Sequence, residues 1–321
     1  MTKKIKILLV VASLFFVIGS TLFIGALAVV KWDFTKLSAK KYTSNEYALT
    51  QEFSNITILT DTSDVNIVKT TEKSKVVLVE EENNEHKVEI KDGTLYIEQK
   101  DNRKWYEHIG LNFSSSEKIT VYLPNDKYEL LKITGDTGDV NLSKDISFNN
   151  VNVYVSTGDV ECYSSIIENG KIRTSTGDIT IKNQSSGALE LKVSSGEIDL
   201  ENLAVVEGVS ISVSTGDVEI SNLTCKNLTS NGSTGEIELS GVIASEKITI
   251  KRSTGSVEFN RSDASEIFVT TGTGDVKGSL LSDKVFIVNT STGDKYIPSC
   301  TTGGKCEITT STGDIKITII K

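Results

Sequence analysis

The chain has 321 residues and a net charge of −9, from 43 acidic and 34 basic side chains. Beyond residue 31 the balance is 30 basic against 43 acidic residues, a net of −13, which argues against nucleic acid or another polyanion as a partner. Four cysteines are too few for a disulfide-stapled extracellular scaffold. We also expect no resident cofactor.

The first predicted element is a membrane-spanning helix at residues 5–30. Its apolar run beyond Lys6 is 24 residues long, enough to cross a bilayer. Basic residues ahead of it place residues 1–4 in the cytoplasm and the C-terminal domain outside the cell. We favour a retained anchor in a single-pass protein of the cell membrane. The alternative is a cleaved signal peptide, because Ala26–Ala28 resembles a small-x-small cleavage site.

Residues 31–50 are polar and are predicted to form a stalk, followed at 51–130 by an irregular β region. Alternating apolar residues begin at Phe53, and Asp92-Gly93 is a good hairpin turn between two strands. We expect this region to cap the β structure that follows, since an open stack of strands needs a cap.

The segment Arg103–His108 interrupts this pattern with Trp105, Tyr106 and a histidine. One interpretation is a patch that binds a ligand or partner. The other is that Trp105 packs over the end of the β structure. The sequence leaves both open.

From 131 to 321 a phrase close to Ser-Thr-Gly-Asp-Val recurs every 19 or 20 residues. A fixed period of this length is typical of stacked-repeat proteins. The ten glycines are Gly138, Gly158, Gly177, Gly196, Gly216, Gly235, Gly255, Gly274, Gly293 and Gly313.

Apolar residues alternate with polar ones on both sides of each glycine, which predicts strand, tight turn, strand. Equivalent strands stacked in parallel would align the apolar residues into a continuous core. The predicted fold is therefore all-β, a parallel β-solenoid of 19–20-residue repeats over 131–321. Right-handed crossovers are favoured. A left-handed coil or an irregular sandwich of the same strands stays open.

Two features stand near the C-terminus. The strongly β-prone segment Ile315–Ile320 predicts a terminal edge strand that is either capped or used for association. Cys300 and Cys306 flank a short loop and would form either a small disulfide or two reduced, buried thiols.

These features together resemble the DUF4097 family: the N-terminal apolar span, the strands from Phe53 to Ile67, Arg103–Tyr106, Val121–Pro124 and the repeated Ser-Thr-Gly-Asp-Val. Its members are often called "putative adhesins" and are common as membrane-anchored proteins of Gram-positive bacteria. The resemblance covers residues 31–321. It implies a β-repeat domain at the cell envelope and carries over no catalytic residue.

The residue after each glycine is the sharpest candidate for a site, because nine of the ten are acidic. Carboxylates stacked about 4.8 Å apart repel one another. Amide hydrogen bonds within each turn would offset the repulsion, and Ca²⁺ bound between coils is the alternative. The ten are Asp139, Asp159, Asp178, Glu197, Asp217, Glu236, Ser256, Asp275, Asp294 and Asp314.

No catalytic residue is predicted. The acids are spread along the whole repeat rather than paired, and both histidines, His86 and His108, lie outside it. We expect a non-enzymatic, membrane-anchored protein that binds a surface or envelope component. The alternatives are an envelope-stress accessory protein and, less favoured, a polysaccharide-active β-helix enzyme.

Overall fold

The computed structural model describes residues 3–29, 31–32, 42–81, 84–101 and 117–320. Helix α1 spans Lys3–Val29, and its segment Leu8–Val29 is long and apolar enough to cross a membrane. Large apolar side chains of α1, such as Phe15 and Phe16, are 70 % and 76 % exposed. A long apolar helix that is this exposed suits either a membrane anchor or a signal sequence.

Everything else that is regular in the described chain is β structure. The strands are β1 Tyr42–Ala48, β2 Asn55–Thr60, β3 Asp64–Lys69, β4 Lys75–Glu81, β5 Asn84–Lys91, β6 Thr94–Asp101, β7 Lys118–Leu123, β8 Lys127–Thr137, β9 Val140–Leu142, β10 Ser147–Thr157, β11 Val160–Cys162, β12 Ser165–Thr176, β13 Ile179–Ser195, β14 Ile198–Val205, β15 Gly208–Thr215, β16 Val218–Thr234, β17 Ile237–Ser240, β18 Ile243–Thr254, β19 Val257–Thr273, β20 Val276–Leu280, β21 Lys284–Thr292, β22 Lys295–Tyr296, β23 Gly304–Thr312 and β24 Ile315–Ile319.

The predicted β-solenoid is confirmed. Each repeat forms one coil, with a strand before its glycine turn and a strand after it, and equivalent strands of successive coils pair in parallel. Strands before the glycines form one side, here the first sheet, and strands after them form the second sheet. At about 4.8 Å per coil, the ten glycine-marked coils make a rod on the order of 50 Å long. The right-handed course stays a prediction.

The core lies between the two sheets, in columns of equivalent residues. Val160, Ile179 and Ile198 are aligned by parallel pairing and are fully buried. Cys162 belongs to the neighbouring column, beside Leu142, and is also fully buried. Each coil contributes only a few apolar side chains, so the core becomes continuous by stacking.

The turn glycines are required by the stacking itself. Gly216 has a φ of 137°, which side chains rarely adopt, and a Cβ atom there would lie 1.9 Å from the carbonyl oxygen of Gly196. Its N–H donates to the carbonyl of Thr234 in the next coil, at 3.0 Å. Glycine therefore lets neighbouring turns approach closely enough for their backbones to hydrogen-bond.

The N-terminal end of the stack is closed by antiparallel strands. β5 pairs antiparallel with β6 through the predicted hairpin at Asp92-Gly93, where both residues have positive φ. β4 pairs antiparallel with β7, and β1 in turn with β4. The prediction of a stalk over 31–50 is wrong for residues 42–48, because they form β1. Thr43, Ser44 and Glu46 are exposed on this added edge strand, so composition alone suggested a linker.

The order of the coils in space differs from their order in the chain. The coil of β23 and β24 lies between the coil of β19 and β20 and that of β21 and β22. The predicted strand forms as β24, but it does not belong to the last coil in space: it pairs with β20 along its length, and β22 caps it at Ile315 and Lys316. Lys295 stands where other repeats have an inward apolar residue, and Pro298 cannot donate a backbone hydrogen bond. The less regular coil is accordingly the one at the end.

Candidate functional site

The acidic residues that follow the turn glycines form a ladder along one side of the rod. Asp139 accepts a hydrogen bond from the backbone N–H of Asp159 at 2.9 Å, and Asp159 accepts one from Asp178 at 2.8 Å. Asp178 does the same for the N–H of Glu197 at 2.7 Å. The predicted amide bonds exist, but they join successive coils instead of closing each turn on itself.

The environment of the carboxylate differs at Glu197, where a glutamate takes the place of the usual aspartate. The N–H of Glu197 donates to Asp178, but the side chain of Glu197 is one methylene longer than that of aspartate. Burial raises the pKa of the Glu197 carboxyl, and the nearby charges of Asp178, Asp217 and Glu219 raise it further. The acidic neighbours of Glu197 thus act in the direction of the predicted repulsion.

The geometry gives the ladder a structural role. Each coil contributes at most one carboxylate, and in inner aspartate coils such as those of Asp139, Asp159 and Asp275 one of its oxygens is already occupied by an amide. Across the described residues, no group of three or more His, Cys, Asp or Glu side chains is placed to hold a metal ion. Ca²⁺ needs six to eight oxygen ligands, so the ladder alone does not form a cage for it.

A second ladder runs along the opposite turn. Asn183, Asn202 and Asn222 have left-handed backbones with φ between 53° and 55°. The side-chain amide of Asn202 donates to Asn183, and that of Asn222 donates to Asn202, both at 2.9 Å. The 19- and 20-residue spacing of these asparagines was the available signal, because asparagine tolerates this conformation better than most residues.

The outer faces of the two sheets carry different charge patterns. On the second sheet Asp199, Glu219, Glu238 and Glu258 stand in register, one above the other. In the described chain only the two outer members pair with lysines. Asp199 lies 2.6 Å from Lys182, and Glu258 lies 3.1 Å from Lys277 of the next coil.

The outer face of the first sheet carries mixed charges at the same level. Glu190 lies 3.1 Å from Lys171 and 2.5 Å from Arg173, while Lys247 pairs with Glu266 at 3.2 Å. Exposed Lys192 and Lys251 add positive charge, and the exposed positions of β15 include Ser210 and Ser212. The rod therefore presents one acidic face, here called the acidic column (Asp199, Glu219, Glu238 and Glu258), and one face of mixed charge.

A buried polar cluster lies near the closed end, and the sequence did not indicate it. The His86 ring nitrogen Nδ1 lies 2.9 Å from Glu80, and Nε2 lies 3.3 Å from the Thr60 hydroxyl and 3.5 Å from that of Ser63. Glu80 also accepts a bond from Asn45 of β1 at 2.9 Å. Burial raises the pKa of the Glu80 carboxyl, but its hydrogen bonds to His86 and Asn45 outweigh burial and lower it overall.

The sequence of hydroxyl, imidazole and carboxylate in this cluster is the one that activates serine nucleophiles. Ser63 is only 2 % exposed, however, and its oxygen is at the limit of hydrogen-bonding distance from His86. The cluster instead connects three strands, since Asn45 lies on β1, Glu80 on β4 and His86 on β5. It joins the strands that close the end of the stack.

The remaining predicted features have simple outcomes. Cys300 and Cys306 are free thiols in the structure, and Cys306 is buried in the core, where burial raises its pKa to about 12. The disulfide alternative is thus not what the structure contains. The segment Arg103–His108, with Trp105, lies outside the described residues.

The model of the family described as Toastrack DUF4097 matches residues 53–222 and 204–321. A comparison with curated proteins gives no match. Among solved structures, a "putative lipid binding protein" from Parabacteroides distasonis is 16 % identical, with a TM-score of 0.50, and the match covers 88 % of this chain and 98 % of that one. A "putative adhesin" from the same organism is 14 % identical, with the same TM-score and coverage. At these low identities, the structural likeness shows a shared fold and nothing more.

Proposed function

Because the chain belongs to the Toastrack DUF4097 family, we propose that it is a non-enzymatic, membrane-anchored protein of the cell envelope. It presents a β-solenoid rod that binds another envelope component or a cell surface. In this proposal α1 is retained as a single-pass anchor and the rod lies outside the cell. The basic residues ahead of the apolar run support this orientation.

One observation carries the proposal: the polar side chains of the rod repeat once per coil along extended faces. A surface of this kind offers many equivalent, weak contacts to an extended partner, and weak contacts in series give avidity. The acidic column is the part of this surface that lacks full neutralisation, since Glu219 and Glu238 have no cationic partner in the described chain. A partner with positive charge, such as an amine-bearing envelope polymer, would complement it.

The proposal is tested by attachment of cells that lack the protein and are complemented with full-length variants. We expect deletion to reduce attachment, wild type to restore it, and the variant E219Q/E238Q to restore it less than half as well. Both glutamates are exposed, so the fold should persist. The matched control is S210A/S212A on the first sheet, which should restore attachment fully.

Attachment that is unchanged by deletion, together with altered sensitivity to envelope-active drugs, would contradict adhesion and favour an envelope-stress role. If attachment requires the protein but both variants restore it equally well, the binding surface lies elsewhere on the rod. Glycan cleavage by the purified chain that disappears in H86A would overturn the non-enzymatic proposal.

A further inference from the structure

The last coil in space, formed by β21 and β22, has an open edge. β21 pairs with β23 and β22 with β24, each on one side, and neither has a partner on its other side in the part of the chain that the structure describes. The backbone N–H and C=O groups of that edge point away from the stack. An edge of this kind is a template for pairing with another chain.

β21 is also apolar on both faces, unlike the strands beneath it. Val285 and Ile287 point outward and are 40 % and 51 % exposed. The residues that occupy these outward positions in the next coil are Lys305 and Glu307. A continuous apolar run is typical of a strand that is covered on both faces. The inward residues Phe286 and Val288 are only partly buried, because no further coil covers them.

The outer strand at the opposite end of the stack carries exposed charged side chains, which β21 lacks. There β5 is the outer strand of the first sheet, and its exposed side chains include Glu85, Lys87 and Lys91. Charged side chains on an outer strand discourage edge-to-edge pairing. Head-to-tail stacking of a second copy is therefore disfavoured, which leaves another open end as the favoured partner of the open end.

We propose that two copies of this chain associate end to end through their open edges, with β21 pairing antiparallel to β21 of the second copy. A two-fold axis perpendicular to the rod and to the paired strands relates the two copies, so the assembly closes as a dimer and does not grow into a filament. The pairing covers Phe286 and Val288.

Charge supports a second copy as the occupant. From Val285 to Thr292 the strand carries no charged residue, so antiparallel self-pairing brings no like charges together. The one charge at its start, Lys284, is buried and neutralised by Asp263 at 2.6 Å. The edge is also at the end of the stack away from β1, the first strand after α1, so a membrane anchor leaves it accessible to a copy on a facing membrane.

The experiment uses the full-length chain in nanodiscs at one copy per disc. We expect particles of doubled mass, two discs joined by their rods, at concentrations of about 10 μM, measured by light scattering and seen as two discs about 100 Å apart by electron microscopy. I287K, at an exposed position, should leave the fold intact and return single discs. The matched control V206K also replaces an exposed apolar residue, 73 % exposed at a distant turn, and should still give joined discs.

Single discs for the wild type at this concentration would overturn the proposal, as would joined discs that persist in I287K. Joined discs lost in both variants would show association through a different surface and would equally overturn it. The proposal is independent of envelope binding, because the attachment assay uses the acidic column and this one uses the end of the rod.

Discussion

At the N-terminal end of the stack, antiparallel strands β5 and β4 cover the first parallel coil, and β1 covers β4. At the other end β21 and β22 lie on the surface with an apolar strand at the edge. Both ends face the same problem, since a solenoid must end somewhere with unpaired backbone groups. One end solves it within the chain, by reversing strand direction and adding charge, and the other leaves the edge for a partner.

A coil in the middle of the stack is held on both sides, whereas the last coil is held on one side. Substitutions of the turn glycines should show this contrast with the largest effect on stability. In G216A the new Cβ would lie 1.9 Å from a carbonyl held between two coils, and we expect a loss of at least about 3 kcal/mol of stability. G293A has a similar contact, 2.2 Å from the Gly313 carbonyl, but in the last coil, which can shift without displacing another. Urea unfolding should show a much smaller loss there; equal losses would contradict the idea of a loosely held end.

The closed end depends on its buried polar cluster. E80Q replaces the charged acceptor that contacts the His86 ring and Asn45, and we expect a loss of about 2 kcal/mol, because hydrogen bonds to a charged group are the stronger ones. Hydrogen exchange should rise in β1, β4 and β5 but not in β21. Uniform exchange along the rod would contradict a local closing role.

The same cluster predicts a pH dependence. The folded-state pKa of Glu80 is lowered, so its ionised form is favoured by folding. This contribution is fully present above the unfolded pKa of about 4.3 and is lost as pH falls below it. We expect exchange protection of β4 and β5 to drop below about pH 4 in the wild type and to change less in E80Q.

The acidic ladder gives a smaller effect that again depends on position. D178A leaves the N–H of Glu197 without its acceptor, and we expect a loss of about 1 kcal/mol, whereas D178N keeps an acceptor oxygen and should lose less. D294A should cost little, because no amide of a further coil among the described residues donates to that carboxylate, which the Tyr296 hydroxyl contacts at 3.4 Å. For the wild type and each of these three variants, the melting temperature in EDTA should equal that in millimolar Ca²⁺. A large rise with Ca²⁺ would show a metal ladder instead.

The smallest effect concerns Glu197, whose pKa is raised by burial and by its acidic neighbours. A carboxyl with a raised folded-state pKa is favoured when protonated, so its unfavourable contribution appears as pH rises through that pKa. E197Q should therefore raise the melting temperature slightly at pH 7 and leave it unchanged near pH 3. A rise at both pH values would assign the effect to packing and not to charge.

The sequence determined the repeated parts of this protein. The 19- or 20-residue period fixed the coil, the alternation around Gly158 or Gly216 fixed which side chains face inward, and the apolar run fixed the helix. These features are local: strand alternation and turn glycines act within a few residues, and the same solution recurs in every repeat. The regular part could be predicted for this reason, as could the hairpin at Asp92-Gly93.

Only the tertiary structure decided how the coils are ordered and closed. Nothing near Ile315 indicates that its coil lies in space before the coil of Lys295. Coils that share the same turn can stack on one another in more than one order. The order therefore depends on which coil packs least well inside the stack. Asn45, Glu80 and His86 likewise meet only because β1 and β5 fold back on either side of the first coils. Contacts between residues far apart in sequence are fixed by long-range strand pairing, which local patterns do not encode.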